Sequence, residues 1–595
     1  MANAEDERKT SSGGVSASFD SSNTAHSALA TGLGLFTVCA IALGSIGFFF
    51  DRFWWAPDEG VYAYVAERML HGDVLFRDIQ DLHAGYVQFL HAGALGLFGA
   101  DLLSLRYPLA FFTVVQAVVV FKILSRRSLL AATSAGIVAS TLTFVQFLNP
   151  SANWYALFVF ALLVAALGEG RPSHQQILLV GFLLGALFLV RQLTAVFVGI
   201  GTLAYLLYQL PTRKPNSPSR IGPIIVIVMI IGLAGYLLGK AHDLALLLFA
   251  AWPLAMLVCA LIQLRPEDKA VVQVLGRIIA GAAIAFAPLV LYFGLHGALD
   301  EWFQNAITLA QRITRLDFMN FQGYRTMILI ALNSFTNMPD ASSVLNGMFW
   351  VAILALPPAV GALCLRAVWR SIREKSSLEL HAIAYLAPFI ALVSVHFQIP
   401  IYLMFSAAPL LWALLWFSSA PQSVMPARIA CAISLALVSV GLLFQAGQPL
   451  SRGLEGIMAG TTHALSASGG LPKASVAMEA DDQAIYSELL AVIKRHSEPE
   501  EPILAMPVNP EIYFLSGHRA AVPFFSTAIG LSNQEDLYRA LTGLKAHPPR
   551  LIVHRTIDKY NTALGDKLLA GLAPGYTLVY KVREFDIYAR KANQW

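Results

Sequence analysis

Apolar runs of about twenty residues, separated by short polar breaks, dominate this chain up to about residue 447. A helix needs roughly 20 mostly apolar residues to cross a bilayer. That length places spans near 28–50, 104–124, 129–148, 152–168, 175–191, 193–210, 221–239, 243–264, 273–296, 346–366, 380–395, 399–418 and 427–447. The pattern predicts a polytopic α-helical membrane protein of about 13 transmembrane helices. The stretch 84–100 is short and contains Gln88 and His91, so it reads as a helix at the interface and not a span.

Beyond residue 447 the apolar runs shorten and charge returns. Ile503–Pro507, Ala521–Phe525, Arg550–His554, Tyr576–Tyr580 and Phe585–Ala589 read as short strands, and 481–496 and 533–545 have helical periodicity. Strands alternating with helices predict a small α/β domain over 448–595. No Gly-x-Gly-x-x-Gly run opens a helix in it, so a nucleotide site is unsupported.

Charge orders these spans. Lys122, Arg126 and Arg127 follow the second, Arg171 the fourth, Arg213, Lys214 and Arg220 the sixth, Arg265 and Lys269 the eighth, and Arg366, Arg370, Arg373 and Lys375 the tenth; Arg428 lies beside the twelfth. Basic loops stay in the cytoplasm. The expected topology is therefore a cytoplasmic N-terminus, with a polar disordered tail over 1–27, and a C-terminal domain outside the membrane. The spans and their loops form one module, 28–447, with a first external loop at 51–103 and a long one at 297–345.

Composition adds limits. The chain has 595 residues, 56% hydrophobic and 13% charged, with mean hydropathy +0.61. About 25% charged is usual for soluble proteins, so lipid covers much of the surface. The net charge of +4 implies no nucleic acid. Cys39, Cys259, Cys364 and Cys431 fall in or beside apolar runs without metal spacing, which disfavours a disulfide framework or zinc site.

The first external loop carries the candidate chemistry. Segment 51–83 has seven acids against three bases. Asp58 and Glu59 are adjacent, behind Trp54 and Trp55, which would anchor the pair at headgroup depth. Pro57 suits the start of a helix. Val61, Val65, Met69 and Leu70 recur at helical spacing, predicting an amphipathic helix over 58–70 on the membrane face. A second polar cluster follows, with Asp81 and His83. The plainest role for the pair is to complement the helix dipole, whose N-terminus would keep Asp58 ionised and lower its pKa. Three acids and an imidazole in one interfacial loop also suit deprotonation of a hydroxyl and binding of a cation or phosphate. Asp58 and Glu59, with Asp81, could share a divalent ion such as Mg or Mn, although no spacing fixes its identity.

The run from Pro57 to Gly85 resembles the first external loop of GT-C glycosyltransferases. It is similar to bacterial relatives of protein O-mannosyltransferases and lipid A aminoarabinose transferases (glycosyltransferase family 39). The shared elements are Asp58-Glu59, an interfacial helix, the Gly72-Asp73 turn, the Phe76-Arg77-Asp78 step and the second polar cluster. Phe98 to Arg127, Leu189-Val190-Arg191-Gln192 and Asn509 to Gly517 resemble further family segments. The chain departs from the pattern at Ala84-Gly85, where relatives have Pro-Pro or Pro-Gly, and at His83, where lysine is frequent.

The resemblance implies a GT-C-type fold with an extracytoplasmic α/β domain in the bacterial inner membrane. It implies a hexosyl- or pentosyltransferase that takes sugar from a polyprenyl-phosphate donor. The acceptor would be lipopolysaccharide, another glycan, a lipid or a protein, and membrane lipids would surround the enzyme. In that scheme Asp58 is the general base, Glu59 orients the helix, the acceptor or a cation, and Asp81 and His83 line the cavity. Arg191, beside Gln192, meets the lipid phosphate, and His396 stands where the family often has a basic residue.

Arg312, Arg315 and Arg325 could hold phosphate or an anionic acceptor, or be a headgroup-facing or solvated surface. Lys240 and His242 read as interfacial side chains, and His554 as structural. The alternative class is a lipid or oligosaccharide transporter of the cell envelope. Transporters often show repeated halves and midplane charges, which this sequence does not display.

Overall fold

The structure is a computed structural model that describes residues 20–211, 220–240, 244–309, 311, 323–336, 341–376, 378–396, 398–419, 424–447 and 465–591. Arg312, Arg315, His242, residues 1–19 and residues 448–464 lie outside the described residues. The chain is a multi-pass helical membrane protein with a small α/β layer at its C-terminal end.

Among the described residues, ten helices are long and apolar enough to cross a membrane: Ala28–Phe49, Leu102–Ser125, Leu129–Gln146, Gln192–Gln209, Ile221–Leu238, Leu246–Gln263, Asp268–Leu295, Val344–Glu374, Pro400–Ser418 and Met425–Gln445. Three more expected spans are present as shorter apolar helices: Ala152–Leu167, His174–Val190 and Ala382–His396. The stretch expected at the interface forms the shorter apolar helix Tyr86–Phe98. The first helix begins at Asp20, and its membrane-spanning part runs from Ala28 to Phe49.

Burial sorts the helices. Leu129–Gln146 is 83% buried and central, whereas Asp268–Leu295 is 22% buried and presents its flank outward. The latter is held by backbone contact with His174–Val190. A Cβ on Gly281 would stand 2.1 Å from the Leu178 carbonyl oxygen, and one on Gly181 2.4 Å from that of Ile278. Small residues of this kind let membrane helices approach closely.

The C-terminal layer has four strands: β1 (Ile503–Met506), β2 (Leu551–Arg555), β3 (Tyr576–Val582) and β4 (Phe585–Arg590), in spatial order β1-β2-β4-β3. β1 and β2 are parallel; β4 is antiparallel to both β2 and β3. Helices Ala480–His496 and Gln534–Ala546 match the expected periodic segments. The fifth expected strand, Ala521–Phe525, does not form. Ala520 makes one bridge to Ile503, and Pro523 then removes a donor from the ladder.

The first-loop helix is Ala56–Leu70. It does not lie on the lipid surface as its apolar spacing suggests. It is wedged between the helix bundle and the α/β layer, with Tyr62, Ala63, Tyr64, Val65 and Ala66 all buried. A Cβ on Gly60 would stand 2.3 Å from the Glu511 nitrogen, at the start of helix Pro510–Ser516. Tyr64 packs its ring 5.0 Å from that of Tyr513 and accepts from the Ala520 backbone N–H at 2.9 Å. Lys473 pairs with Glu67 at 2.7 Å, and Arg519 with Asp73 at 3.2 Å.

Candidate active site

Partners divide the first-loop acids. Glu67 is paired with Lys473, Asp73 with Arg68 and Arg519, and Asp78 with Arg77 and the Val74 N–H. Asp58 is left facing open space. It is exposed to water, yet protein surrounds it deeply, as expected of a side chain lining a cavity. Its Oδ2 accepts from Asn149 Nδ2 at 2.8 Å. Burial raises its pKa above the usual carboxylate value. The Asn149 bond and the charges of Lys559 and His83 oppose that rise. The expected helix-terminus effect is therefore outweighed by desolvation.

Glu59 has another setting. Its carboxylate is fully buried, and Oε1 accepts from Arg106 Nε at 3.0 Å and Nη2 at 2.6 Å. The Trp55 N–H donates to Oε2 at 3.3 Å. Arg106 also donates to the carbonyls of Phe50, Arg52 and Phe53, which end the first span. Burial pushes Glu59 up to about 6, with Arg106 restraining the rise, so it is ionised at neutral pH. Both oxygens are engaged, which leaves Glu59 no free oxygen for a cation shared with Asp58. Among the described residues, no group of three or more His, Cys, Asp or Glu is placed to hold a metal ion.

The expected tryptophan anchors also serve other ends. Trp54 is buried against the α/β layer, 4.9 Å from the Tyr486 ring, with its indole N–H 3.4 Å from Asp482. Trp55 stacks on Phe147 at 6.0 Å, within the segment that carries Asn149.

Asp81 and His83 come together. Asp81 Oδ1 accepts from the His83 backbone N–H at 2.8 Å, His83 Nδ1 at 2.9 Å and Gln88 Nε2 at 2.7 Å. Tyr62 links the two clusters: its ring lies 5.9 Å from His83 and 5.1 Å from His91, and it senses the charges of both Asp58 and Asp81. Burial holds His91 down at about 3, so its ring is neutral. Asp81 Oδ2, Gln88 Oε1 and the Tyr155 hydroxyl are buried without a hydrogen-bond partner among the described residues. Buried polar atoms left this way mark room for water or a polar ligand.

Arg191 sits at the break between helices His174–Val190 and Gln192–Gln209. Its guanidinium is buried, bonded to Thr194 Oγ1 at 3.0 Å, and 4.8 Å from the Tyr402 ring centroid. Tyr402 also senses the Asp58 charge. Gln192 is a tether, donating to the Leu82 carbonyl at 3.1 Å and the Ala306 carbonyl at 3.0 Å. It thereby fixes the residue before His83. His396 is buried, with Nδ1 2.5 Å from the Tyr236 hydroxyl, and feels the Arg191 charge. Arg325 stands exposed on helix Gly323–Thr336 and takes part in none of these contacts.

Sequence reasoning missed Asn149, Tyr62, Tyr402, Lys559 and Tyr560. The last two are in the loop after β2, and Tyr560 senses both Asp58 and Tyr402. The polar break Asn149-Pro150-Ser151 after a long apolar run was a usable signal for Asn149. Nothing in the local sequence distinguishes Tyr402 or Lys559.

No family model matches the chain, and no curated protein matches it. Among solved structures, it is similar to the crystal structure of ArnT from Cupriavidus metallidurans bound to undecaprenyl phosphate. That likeness covers 96% of this chain and 99% of the other, at 13% identity and a TM-score of 0.39, and assigns no role to any residue here.

Proposed function

We propose that the protein is an integral membrane glycosyltransferase. It moves a sugar from a polyprenyl-phosphate carrier to a hydroxyl of an extracytoplasmic glycan, lipid or protein. The observation that carries the reading is Asp58: a carboxylate at the start of a rigidly mounted helix, reachable by water, with raised basicity and one neutral hydrogen-bond partner.

In this mechanism Asp58 takes the proton of the acceptor hydroxyl as its oxygen attacks the anomeric carbon. The bond from that carbon to the lipid phosphate breaks, and the phosphate leaves with the electron pair. Arg191 meets the departing phosphate. A guanidinium at a helix break between spans needs an anion nearby, and its fork matches phosphate oxygens. Lys559, close enough to act on the Asp58 charge, adds positive potential from the α/β layer. Asp81 and His83, with the unpartnered polar atoms beside them, line the space for a sugar or acceptor. Glu59 acts through Arg106 as a positioning residue, fixing the helix that carries Asp58.

A lipid-carried donor follows from location. Nucleotide sugars are cytoplasmic, whereas this site is on the face that carries the α/β layer, the face that loop charge assigns to the outside. The test is transfer by the purified protein in vesicles, using a polyprenyl-phosphate sugar. Asp58→Asn should lower transfer by about 10²–10⁴-fold while leaving folding intact. Full transfer by that variant would remove Asp58 as the base. Lipid movement across the vesicle without transfer would favour a transporter.

A further inference from the structure

Helix His174–Val190 has two ends. Val190 leads into Arg191 and the Asp58 site. His174 borders a cavity of about 370 Å³. At 1.5 Å per residue the two ends are on the order of 25 Å apart, so this cavity is on the opposite membrane face. Arg171, His174 and Arg277 provide its polar wall, and Ile177, Leu206 and Val274 its apolar wall. Among the described residues, no Asp or Glu lines it. Neither Arg171 nor Arg277 forms an ion pair among the described residues. Arg277 donates to the Gln273 carbonyl of its own helix at 3.2 Å.

Depth makes this arrangement informative. Helix Asp268–Leu295 has 28 residues. At 1.5 Å per residue it is about 42 Å long, against roughly 30 Å of hydrocarbon. Some eight residues therefore stand beyond the hydrocarbon. Its polar residues Asp268, Lys269, Gln273 and Arg277 all lie in the N-terminal part, so that end projects. Arg277 is then level with the boundary between headgroups and acyl chains, where lipid phosphates lie. An unpaired guanidinium is costly there unless an anion meets it. The N-terminus of His174–Val190 adds a positive helix end to the same space.

We propose that this cavity binds an anionic glycerophospholipid from the leaflet opposite the α/β layer. Its phosphate lies between Arg171 and Arg277, and an acyl chain runs along Ile177, Leu206 and Val274. The missing carboxylate selects the headgroup: a choline or ethanolamine cation would find no counter-charge. Basic pockets between membrane helices on the cytoplasmic side hold such lipids elsewhere, and Arg126, Arg127 and Arg265 mark this side as the basic one.

The test is native mass spectrometry of the full chain released from detergent, with phosphatidylglycerol or phosphatidylcholine of matched chains. Retention of phosphatidylglycerol should exceed that of phosphatidylcholine by about tenfold, and Arg171→Ala with Arg277→Ala should erase the difference. Arg265→Ala, on the same face outside the cavity, should keep it. Phosphatidylglycerol should also raise the melting temperature of the wild type and of Arg265→Ala, but not of the double variant. An unchanged preference in the double variant, or equal retention of both lipids by the wild type, overturns the proposal. Inorganic phosphate stabilising the protein as well as phosphatidylglycerol would assign the site to a free anion and overturn it too. If the double variant does not fold, Arg277→Gln decides: an unchanged preference refutes the site, and a reduced one supports it.

Discussion

Asp58 and Glu59 are neighbours in sequence but point to different regions of the molecule. Asp58 is exposed to water and has one amide partner. Glu59 faces a sealed interior and grips Arg106, which in turn ties down three carbonyls at the end of the first span. On the proposed function, the two acids separate chemistry from anchoring within one turn of helix. A carboxylate that is fully bonded serves structure, and the one kept underbonded beside it remains available to a substrate.

The largest effect should come from exchanging the two acids' fates. Asp58→Asn should lower transfer by about 10²–10⁴-fold, the usual contribution of a general base, with little change in melting temperature. Glu59→Gln should do the reverse. Leaving Arg106 buried without its counter-charge should cost about 3–5 kcal/mol, read as lost thermal stability in detergent. Residual transfer should persist in whatever fraction folds. If the two variants behave alike, the division between the acids is wrong.

A somewhat smaller effect is expected at Glu511, at the start of helix Pro510–Ser516, which packs against Gly60 of the helix that carries Asp58. It is buried, accepts from Tyr486 at 2.8 Å and Asn509 at 3.1 Å, and burial raises its pKa from the usual 4.5 to about 7. Between those values the folded protein holds a proton that the unfolded chain has lost. Stability should therefore fall as pH rises from about 4.5 to 7 and level off above, by roughly 3 kcal/mol in all. Glu511→Gln should flatten that slope in a pH series of melting curves. An identical slope would show that Glu511 is ionised throughout.

The smallest effect concerns Asn149. Its bond to Asp58 favours the ionised form, so Asn149→Ala should raise the pKa of Asp58 further. The acid limb of the rate profile should move to higher pH, with no more than about a tenfold loss at neutral pH. An acid limb at an unchanged pH would separate Asn149 from the titration of Asp58.

The spans were legible because hydropathy is a local property. All thirteen expected stretches are helical, including Ala152–Leu167 and His174–Val190, which fall short of a full crossing. Strands β1 to β4 were legible for the same reason, whereas Ala521–Phe525 failed because an apolar run with Pro523 has no complete ladder to join. The site was half legible. Asp58 stood out as one of an acid pair beside an apolar run. The feature that distinguishes it from Glu59 is Arg106, 47 residues on, and no local pattern announces that pairing. Tyr402 and Lys559 reach the site only through the tertiary fold. The helix Ala56–Leu70 was read as lipid-facing because its apolar spacing does not say what covers it. A protein layer built from the far end of the chain does so.

That cover has a consequence for biosynthesis. Trp54 meets Asp482, Glu67 meets Lys473 and Tyr64 meets Ala520, across separations of 428, 406 and 456 residues. A nascent chain whose spans are already inserted still lacks the surface against which Gly60 packs. The contacts that hold the helix carrying Asp58 thus form only when the segment 473–520 has been translated and folded. The setting of Asp58 is therefore completed by residues more than four hundred positions downstream.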